Sequence, residues 1–390
     1  MSQHILVCEP QCSGFEHAPV NAALLEAVAL AFPEARITFR AEEEHSRWVR
    51  DALPQGAAAL GTRVRWRPVA IPPRSVEGWR RVRHEFPWVR SFLAECRSAG
   101  YDACILGSVA RMGLFALKQE MRRAPTPPIL AVLHSELNVL AHLPRHPLRR
   151  LLCLDTILAL PHPPRLHYIA LGESILEGIR ELRPRQARRF HALDLPYLLP
   201  EPPEEMPRPD GEPVRFGFFG SAGKGFEPFC RLAAEVTARS SGSEWWLVGF
   251  APSQCERDLA GDRIRGVSPD PLPLAEYARR ATSITYSVMV LPPHAYRLRA
   301  SASFIDTLAY GKPVICLRNP YVASYFARLG DLGYLCDSLD EMRDLILRIL
   351  SDFPRERYQQ QCANARAASK TFSPPCLAPQ LRQIIERITA

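Results

Sequence analysis

Short apolar runs rich in β-branched residues alternate along the chain with longer stretches in which apolar residues recur every three to four positions. The runs predict β-strands and the periodic stretches predict helices. Alternation of this kind is typical of a mostly parallel sheet covered on both faces. In the first half it predicts strands at Ile5–Cys8, Arg36–Phe39, Val64–Arg67, Ala103–Leu106, Ile129–Leu133 and Thr156–Leu160, and helices at Ala22–Ala31, Val76–Ala99 and Ala110–Met121.

A proline-rich stretch at residues 196–213 interrupts the pattern. Proline ends helices and cannot donate a ladder hydrogen bond, so this stretch is predicted to be an extended linker between domains. Beyond it, strands are predicted at Val214–Phe219, Trp245–Val248, Ser283–Ser287 and Val314–Leu317, and helices at Phe226–Arg239, Leu272–Arg280, Ser301–Tyr310, Leu339–Leu350, Arg355–Lys370 and Leu377–Ile388.

The 390 residues exceed what a single core usually holds, so the chain is expected to form two α/β domains. They are predicted at residues 1–195 and 214–375, and residues 376–390 form a last helix that can cross back to the first domain. In open parallel sheets, ligands bind at the carboxyl ends of the strands, where the strand order reverses. Functional side chains are therefore expected in loops that follow strands.

Composition narrows the class of protein. Residues 1–200 carry 26 basic and 19 acidic side chains against 23 and 22 in the remainder, so the first half is basic and can attract an anionic partner such as a membrane surface. A solvated basic surface is the alternative, and the segments lack the aromatic interleaving of nucleic-acid binders. No apolar run reaches the length of a membrane span, and the protein is expected in the cytoplasm, with the inner face of the membrane as a possible site of contact. The 11 cysteines form no CxxC pair, so mostly buried free thiols and no metal site are expected.

Several common catalytic motifs are absent from the sequence. There is no GxGxxG spacing, no GxxxxGK[ST] phosphate loop and no GxSxG turn. These absences argue against nicotinamide or flavin dehydrogenases, P-loop nucleotide hydrolases and α/β-hydrolases, respectively.

The segment from Ser301 to Ile315 is the most informative motif. It reads SASFIDTLAYGKPVI, a loop of small residues that opens a helix, ends at Gly311 and passes directly into a strand. The amino terminus of such a helix presents unpaired backbone N–H groups and a positive dipole to a diphosphate. Capping of the helix by Ser301 or Ser303 explains the serines equally well.

This segment resembles the donor-site signature of retaining GT-B glycosyltransferases of the glycogen-synthase-like superfamily, the family-4-like, group 1 enzymes. The resemblance implies two Rossmann-like domains that face each other across a cleft. It also assigns Ser301, Ala302 and Ser303 to the donor diphosphate, and Asp306 to the nucleotide ribose. The first acid of the family pattern falls on Leu298, a departure from the pattern, and the neighbouring Arg297 and Arg299 are candidate diphosphate ligands or surface residues.

A second motif, Gly220-Ser221-Ala222-Gly223-Lys224-Gly225, follows a predicted buried strand. It resembles the family's Gly-Arg…Lys-Gly turn, in which an arginine and a lysine neutralise the donor diphosphate. Lys224 matches the lysine, and Ser221 stands where the family has the arginine. Arg297 or Arg299 is the candidate replacement for that charge.

The first half supplies the acceptor-side candidates. His134 follows the strand Ile129–Leu133 and resembles the family histidine near the transferred sugar, with a polar loop residue as the alternative. Gly14, Glu16 and His17 lie in the loop after the first strand, which borders the acceptor in the family.

The resemblance implies transfer of a sugar from a nucleoside diphosphate sugar, with UDP preferred over GDP, to a hydroxyl of a glycan, lipid-linked or protein acceptor. It implies retention of configuration, no metal and no cofactor beyond the nucleotide-sugar co-substrate, and a place in cell-surface polysaccharide or glycoconjugate synthesis. His134, Lys224 and Arg299 are the catalytic candidates. The alternatives are a nucleotide-sugar epimerase and a non-catalytic sugar-nucleotide or glycan-binding protein, the latter because Leu298 and Ser221 replace charged residues.

Overall fold

The computed structural model describes residues 3–53, 60, 63–73, 75–76, 78–144, 146, 150–200, 212–223 and 225–389. The chain forms two compact units. Unit 1 comprises Met1–Leu198, Leu298–Ala300 and Phe372–Ala390, and unit 2 comprises Leu199–Arg297 and Ser301–Thr371. Residues 201–211 of the predicted linker lie outside the described residues, and the predicted domain boundaries stay predictions.

Unit 1 is built on a parallel sheet of seven strands in the order β3-β2-β1-β4-β5-β6-β7. Every residue of the central strand Ile129–Leu133 is buried, as expected where helices cover both faces. The strands are β1 His4–Cys8, β2 Arg36–Ala41, β3 Val64–Pro68, β4 Ala103–Leu106, β5 Ile129–Leu133, β6 Leu166–Ala170 and β7 Phe190–Ala192. The helices are α1 Ala18–Ala31, α2 Glu43–Ala52, α3 Gly78–Ser98, α4 Arg111–Met121, α5 Leu154–Ala159, α6 Glu173–Leu182 and α7 Pro184–Ala187.

Unit 2 has a parallel sheet of six strands in the order β10-β9-β8-β11-β12-β13. Its core on one face of the sheet is aromatic, with Phe216 and Phe229 packed against Trp245. The strands are β8 Val214–Ser221, β9 Ser243–Phe250, β10 Ile264–Arg265, β11 Tyr286–Met289, β12 Val314–Leu317 and β13 Gly333–Cys336. The helices are α8 Phe226–Thr237, α9 Gln254–Ala260, α10 Leu274–Ser283, α11 Ala302–Ala309, α12 Pro320–Leu329, α13 Leu339–Ser351 and α14 Arg355–Ser369.

The last helix, α15 at Pro374–Thr389, belongs to unit 1 and packs on α1. It begins at Pro374, where the sequence placed a break, because proline fits the first turn of a helix without loss of a hydrogen bond. No helix within the described ranges is both long and apolar enough to cross a bilayer.

The strand predicted at Thr156–Leu160 is wrong, because this segment is the helix α5. A short apolar run does not distinguish a buried strand from a buried helix. The helix ends on the buried ammonium group of Lys118, whose Nζ donates to the carbonyl oxygens of Ile157, Leu158 and Leu160 at 2.8, 3.0 and 2.9 Å. The strand that follows β5 in the sheet is β6, which the sequence analysis did not predict because His167 interrupts its apolar run.

Apart from that segment, the strands predicted for unit 1 are confirmed to within one or two residues, and the alternation in unit 2 is confirmed with small shifts, the largest at β11. Eight of the 11 cysteines are buried, including Cys8, Cys104 and Cys316 inside strands, which confirms the prediction of mostly buried thiols.

Candidate functional site

Each sheet reverses its strand order once. In unit 1 the reversal lies between β1 and β4, and in unit 2 it lies between β8 and β11. Loops that leave neighbouring strands in opposite directions open a crevice at the carboxyl edge, which is where such sheets bind ligands. The candidate residues lie at the carboxyl ends of these or neighbouring strands, in the loops that follow them, or in the first turns of α11.

In unit 2, the last residues of β8 lie against the first turn of α11. Gly220, the penultimate residue of β8, has φ 98°, and a Cβ atom added to it would lie 2.6 Å from Ser303 Oγ. A side chain at this position would therefore have to displace the Ser303 hydroxyl and hold a φ that residues other than glycine rarely adopt. The structure thus brings together Gly220 and Ser303, two candidates that are 83 positions apart in the sequence.

A glycine turn follows β8. Gly225 has φ 93° and precedes α8, and a Cβ atom on it would overlap the carbonyl oxygen of Val290, just beyond β11. Among the described residues, no side chain caps the amino terminus of α8. Lys224, between Gly220 and Gly225 in the sequence, lies outside the described residues.

The amino terminus of α11 is capped by Ser301. Its Oγ accepts a hydrogen bond from the backbone N–H of Phe304 at 3.3 Å, so one of the two readings of this serine, the cap, is what the structure contains. Ser301 is buried, Ser303 is half-buried and Ala302 is exposed. Capping uses one N–H group, and the dipole of the helix still presents its positive end at this edge of the sheet.

Asp306 lies one turn further along α11 and is held by a tyrosine. The hydroxyl of Tyr277, on α10, donates to Asp306 Oδ2 at 2.9 Å. Burial raises the pKa of Tyr310 to about 12, and the nearby Asp306 carboxylate adds to this rise. Asp306 is therefore a fixed, half-buried carboxylate beside two tyrosines.

The remaining donor candidates are divided between the units. Ser221 is exposed and Arg297 is half-buried, both in unit 2, whereas Leu298 and Arg299 belong to unit 1. Leu298 is fully buried and its backbone N–H faces Asn138 Oδ1 at 3.4 Å, so the residue at the position of the first family acid is a packing residue. Burial raises the pKa of Glu136 against the opposing charges of Arg111, Arg81 and Arg299, so Arg299 lies within electrostatic reach of Glu136.

In unit 1, the loop after β1 is tied to the start of α2. His45 is buried and its Nδ1 donates to the carbonyl oxygen of Gly14 at 2.8 Å. Burial opposes the ionised form of Glu42, but hydrogen bonds from the backbone N–H groups of Glu44, His45 and Gly14 lower its pKa overall. Gly14 is thus bound at both its N–H and its carbonyl group, and Glu16 is half-buried in the same loop.

The centre of this edge is a buried carboxylate that the sequence analysis missed. Glu9 Oε1 accepts from the backbone N–H groups of Gln11 and Cys12 at 2.9 and 3.2 Å and from the hydroxyl of Ser108. Its Oε2 accepts from Asn21 Nδ2 at 3.2 Å. The signal was available, since Glu9 is an acid directly after a buried strand.

The same network continues to the histidine of α2. Asn21 Nδ2 lies 2.9 Å from His45 Nε2, and because His45 Nδ1 carries the proton for the Gly14 carbonyl, Nε2 accepts. A Cβ atom on Gly107, after β4, would lie 2.8 Å from Asn21 Oδ1 and 2.9 Å from Glu9 Oε2. The glycine therefore allows the network to close.

The rings of His134 and His17 lie close to this network and next to each other, with their centroids 5.2 Å apart. His134 Nε2 donates to the carbonyl oxygen of Gly107 at 2.7 Å, and burial lowers the pKa of the ring. His17 is the N-cap residue of α1, with a left-handed φ of 55° and no capping hydrogen bond from its side chain. Desolvation of its ring nitrogens, followed by the charge of His134, lowers its pKa to about 4. Both rings are neutral near pH 7, and Nδ1 of His134 is left as a hydrogen-bond acceptor.

No protein-family model and no curated protein sequence matches this chain. Solved structures do match it over its whole length. Sucrose-phosphate synthase from Thermosynechococcus elongatus aligns with a TM-score of 0.67 and 15% identity, covering 99% of this chain and 98% of that one. Anabaena HepE in complex with UDP and glucose aligns with a TM-score of 0.67 and 12% identity, covering 99% and 100%.

A glycosyltransferase from Rickettsia africae aligns with a TM-score of 0.61 and 9% identity, covering 99% of this chain and 98% of that one. These neighbours have the GT-B fold, and identities this low establish the fold alone. The chain therefore has the GT-B fold, which confirms the predicted fold class.

Proposed function

We propose that the protein is a glycosyltransferase that takes its sugar from a nucleoside diphosphate sugar, with UDP as the preferred nucleotide. The observation that carries this proposal is the close approach of Gly220 to Ser303 at the strand reversal of unit 2. It leaves a bare backbone turn beside the positive end of α11, an arrangement suited to a diphosphate. The GT-B fold and the UDP and UDP-glucose complexes of HepE support the choice of donor.

In the proposed reaction the bond between the anomeric carbon and the diphosphate breaks, and an acceptor hydroxyl bonds to that carbon. Lys224, Arg297 or Arg299, and the N–H groups at the start of α11 stabilise the charge of the departing diphosphate, which takes up the acceptor proton. Asp306 binds the ribose, and unit 1 supplies the acceptor side through Gly14, Glu16 and His17. Retention of configuration, independence of metals and the glycan, lipid-linked or protein nature of the acceptor are parts of the proposal.

His134 is proposed to contact the transferred sugar as a hydrogen-bond acceptor. Its Nε2 proton is already donated to the Gly107 carbonyl, so only Nδ1 can accept a hydrogen bond from a sugar hydroxyl. The lowered pKa of His134 keeps that nitrogen available near neutral pH. The replacement of the family acid by buried Leu298 removes one sugar contact and leaves the stabilisation of the leaving group in place.

Calorimetric titration with UDP, GDP, dTDP and CMP tests the donor site. We expect UDP to bind most tightly and Gly220→Ala to weaken its binding by about tenfold or more, because the new Cβ atom displaces the Ser303 hydroxyl and strains the backbone at a φ of 98°. Gly242→Ala is the matched control, since Gly242 has a similar φ of 89° with nothing within 4 Å of the added atom. Equal affinities in both variants would contradict the assignment.

The carboxylate of Asp306 is tested in the same titration. Asp306→Asn is expected to weaken UDP binding by about tenfold through loss of a charged hydrogen bond to the ribose. Tyr277→Phe removes only the hydroxyl that holds Asp306 and is expected to have a smaller effect.

Turnover separates the proposed activity from its alternatives. A transferase releases UDP from one UDP-sugar in the presence of a hydroxyl acceptor, whereas an epimerase produces an isomeric UDP-sugar. Tight UDP binding with neither product would identify a non-catalytic binding protein. This alternative is tested because Leu298, a buried packing residue, stands where the family pattern has an acid.

A further inference from the structure

Helix α3 buries both of its acids and exposes four of its five arginines. Its acids point inward: Glu85 is buried with Arg81 Nε at 2.6 Å, and Glu95 is buried between Arg40 and Arg67, each at 3.1 Å. Its outward face carries only positive, aromatic and small polar or apolar side chains. The exposed residues are Gly78, Trp79, Arg80, Arg83, His84, Pro87, Arg90, Ser91, Ala94, Arg97 and Ser98.

Four of these exposed side chains form a straight line, which we call the arginine stripe: Trp79, Arg83, Arg90 and Arg97. At about 100° per residue they fall within an arc of roughly 40°, and at about 1.5 Å per residue the stripe is about 27 Å long. Trp79 is 61% exposed, although indole side chains are usually largely buried. The stripe is therefore an ordered surface of one charge with an aromatic residue at one end.

The charge of the stripe is not neutralised by its neighbours. Among the described residues, no ion pair involves Arg83 or Arg97. Arg90 shares the single carboxylate of Glu120 with Arg123, at 3.1 and 2.6 Å, and both arginine side chains remain more than half exposed. Three cations and one nearby anion leave a net positive surface.

The helix dipole accounts for only one of these arginines. Arg97 lies in the last turn of α3, where the negative end of the dipole favours a cation. Arg83 and Arg90 lie away from that turn, and a surface of one sign attracts an anionic partner.

We propose that the arginine stripe docks the protein on an anionic phospholipid surface, with α3 parallel to the membrane plane. The guanidinium groups bind lipid phosphates, and Trp79 lies at the level of the headgroups, where an indole is most stable. Trp79 favours this partner over a nucleic acid, because it stands at the end of the stripe and does not interleave with the arginines as a base-stacking residue would. The stripe shares no residue with the donor-site candidates, so the proposal does not depend on the identity of the donor.

Co-sedimentation with vesicles tests the proposal. Wild-type protein is mixed with vesicles of phosphatidylcholine alone or with 30% phosphatidylglycerol, roughly the anionic content at which basic segments bind. We expect binding only to the anionic vesicles, and the Arg83→Glu/Arg97→Glu variant to bind about a hundredfold more weakly. The control variant, Arg239→Glu/Arg263→Glu, makes the same change in net charge at two exposed arginines of unit 2 and is expected to bind like wild type.

Trp79→Ala provides a second readout with no change in charge. It is expected to weaken vesicle binding severalfold and to leave its salt dependence unchanged, whereas the double reversal reduces that dependence. Thermal stabilisation by UDP, measured on all variants, reports on the donor site separately and should not change.

Three results would overturn the proposal: failure of wild-type protein to bind anionic vesicles, equal loss in the stripe and control variants, or tighter binding to duplex DNA or RNA than to the vesicles. The last result would identify the stripe as a nucleic-acid surface.

Discussion

The carboxyl edges of the two sheets share the same reversal of strand order, but they are built from different groups. At the strand reversal of unit 2, Gly220 and Gly225 bring bare backbone against Ser303 and Val290. At the strand reversal of unit 1, a buried carboxylate, Glu9, organises amide, hydroxyl and imidazole groups around it. One edge is built from glycine backbone packed closely against its neighbours, and the other is built from hydrogen-bonded side chains.

The difference indicates how one fold divides binding tasks. A diphosphate is the common part of every nucleotide sugar, and backbone N–H groups can bind it without any side chain. An acceptor differs from enzyme to enzyme, and side chains held by a network can change one at a time. We therefore expect side chains added at the glycines of unit 2 to be damaging. We expect the stability of unit 1 to depend on the charge states of its buried carboxylate and histidines.

The largest effect is expected from Gly225→Ala. Its Cβ atom would overlap the carbonyl oxygen of Val290 at a φ of 93°, and backbone cannot move aside as a side chain can. We expect a loss of about 3 kcal/mol or more in the stability of unit 2. Gly242→Ala, with a φ of 89° and open space around it, isolates the backbone strain at about 1 kcal/mol. Similar denaturation midpoints for the two variants would contradict this account.

The second prediction is that acid unfolds unit 1 before unit 2. Ten of the 11 histidines lie in unit 1, and burial is the largest cause of a lowered pKa in six of them; unit 2 has one, His294. The six are His4, His17, His134, His162, His167 and His191, with values of about 4 for His17, His162 and His191.

A lowered pKa in the folded state means that the unfolded state binds more protons between about pH 6.5 and 4. Stability therefore rises with pH in this window and is lost as the pH falls. Allowing for partial exposure, we expect a loss on the order of 3 kcal/mol in unit 1 at pH 4.5. Hydrogen exchange of the backbone amides of β5 and β8 from pH 7.5 to 4.5 compares the stability of the two units. Simultaneous loss of protection in both strands would contradict the prediction that unit 1 unfolds first.

The third and smallest effect is expected from Glu9→Gln. An amide in place of the carboxylate leaves at least one of the four donors around Glu9 without an acceptor, at a cost of about 2 kcal/mol in unit 1. Glu26→Gln on α1 is the control, because Glu26 has no hydrogen bond or ion pair to a described residue, and should change stability by less than about 0.5 kcal/mol. Chemical denaturation compares the two, and equal effects would show that Glu9 does not organise the loop.

The sequence by itself determined the class of fold and most of the strands. Short apolar runs predict buried strands, and apolar residues spaced three to four positions apart predict the covering helices. Both patterns are local, so β1, β5 and β8 could be predicted from the sequence. It also indicated the loops after β5 and β8, and the helix that begins at Ala302, as places for chemistry. The error at Thr156–Leu160 occurred where a threonine and four apolar residues fit a strand and a helix equally well.

Only the tertiary structure decided which of these residues meet. Gly220 contacts Ser303, and Glu9 joins Ser108 and Asn21, through pairings of strands that are distant in the chain. Leu298 could be read as a lost acid, but its complete burial, which makes it a packing residue, depends on neighbours that no local pattern specifies. Local periodicity reflects which face of an element is buried, whereas side-chain contacts depend on the strand order, which is set by long-range packing.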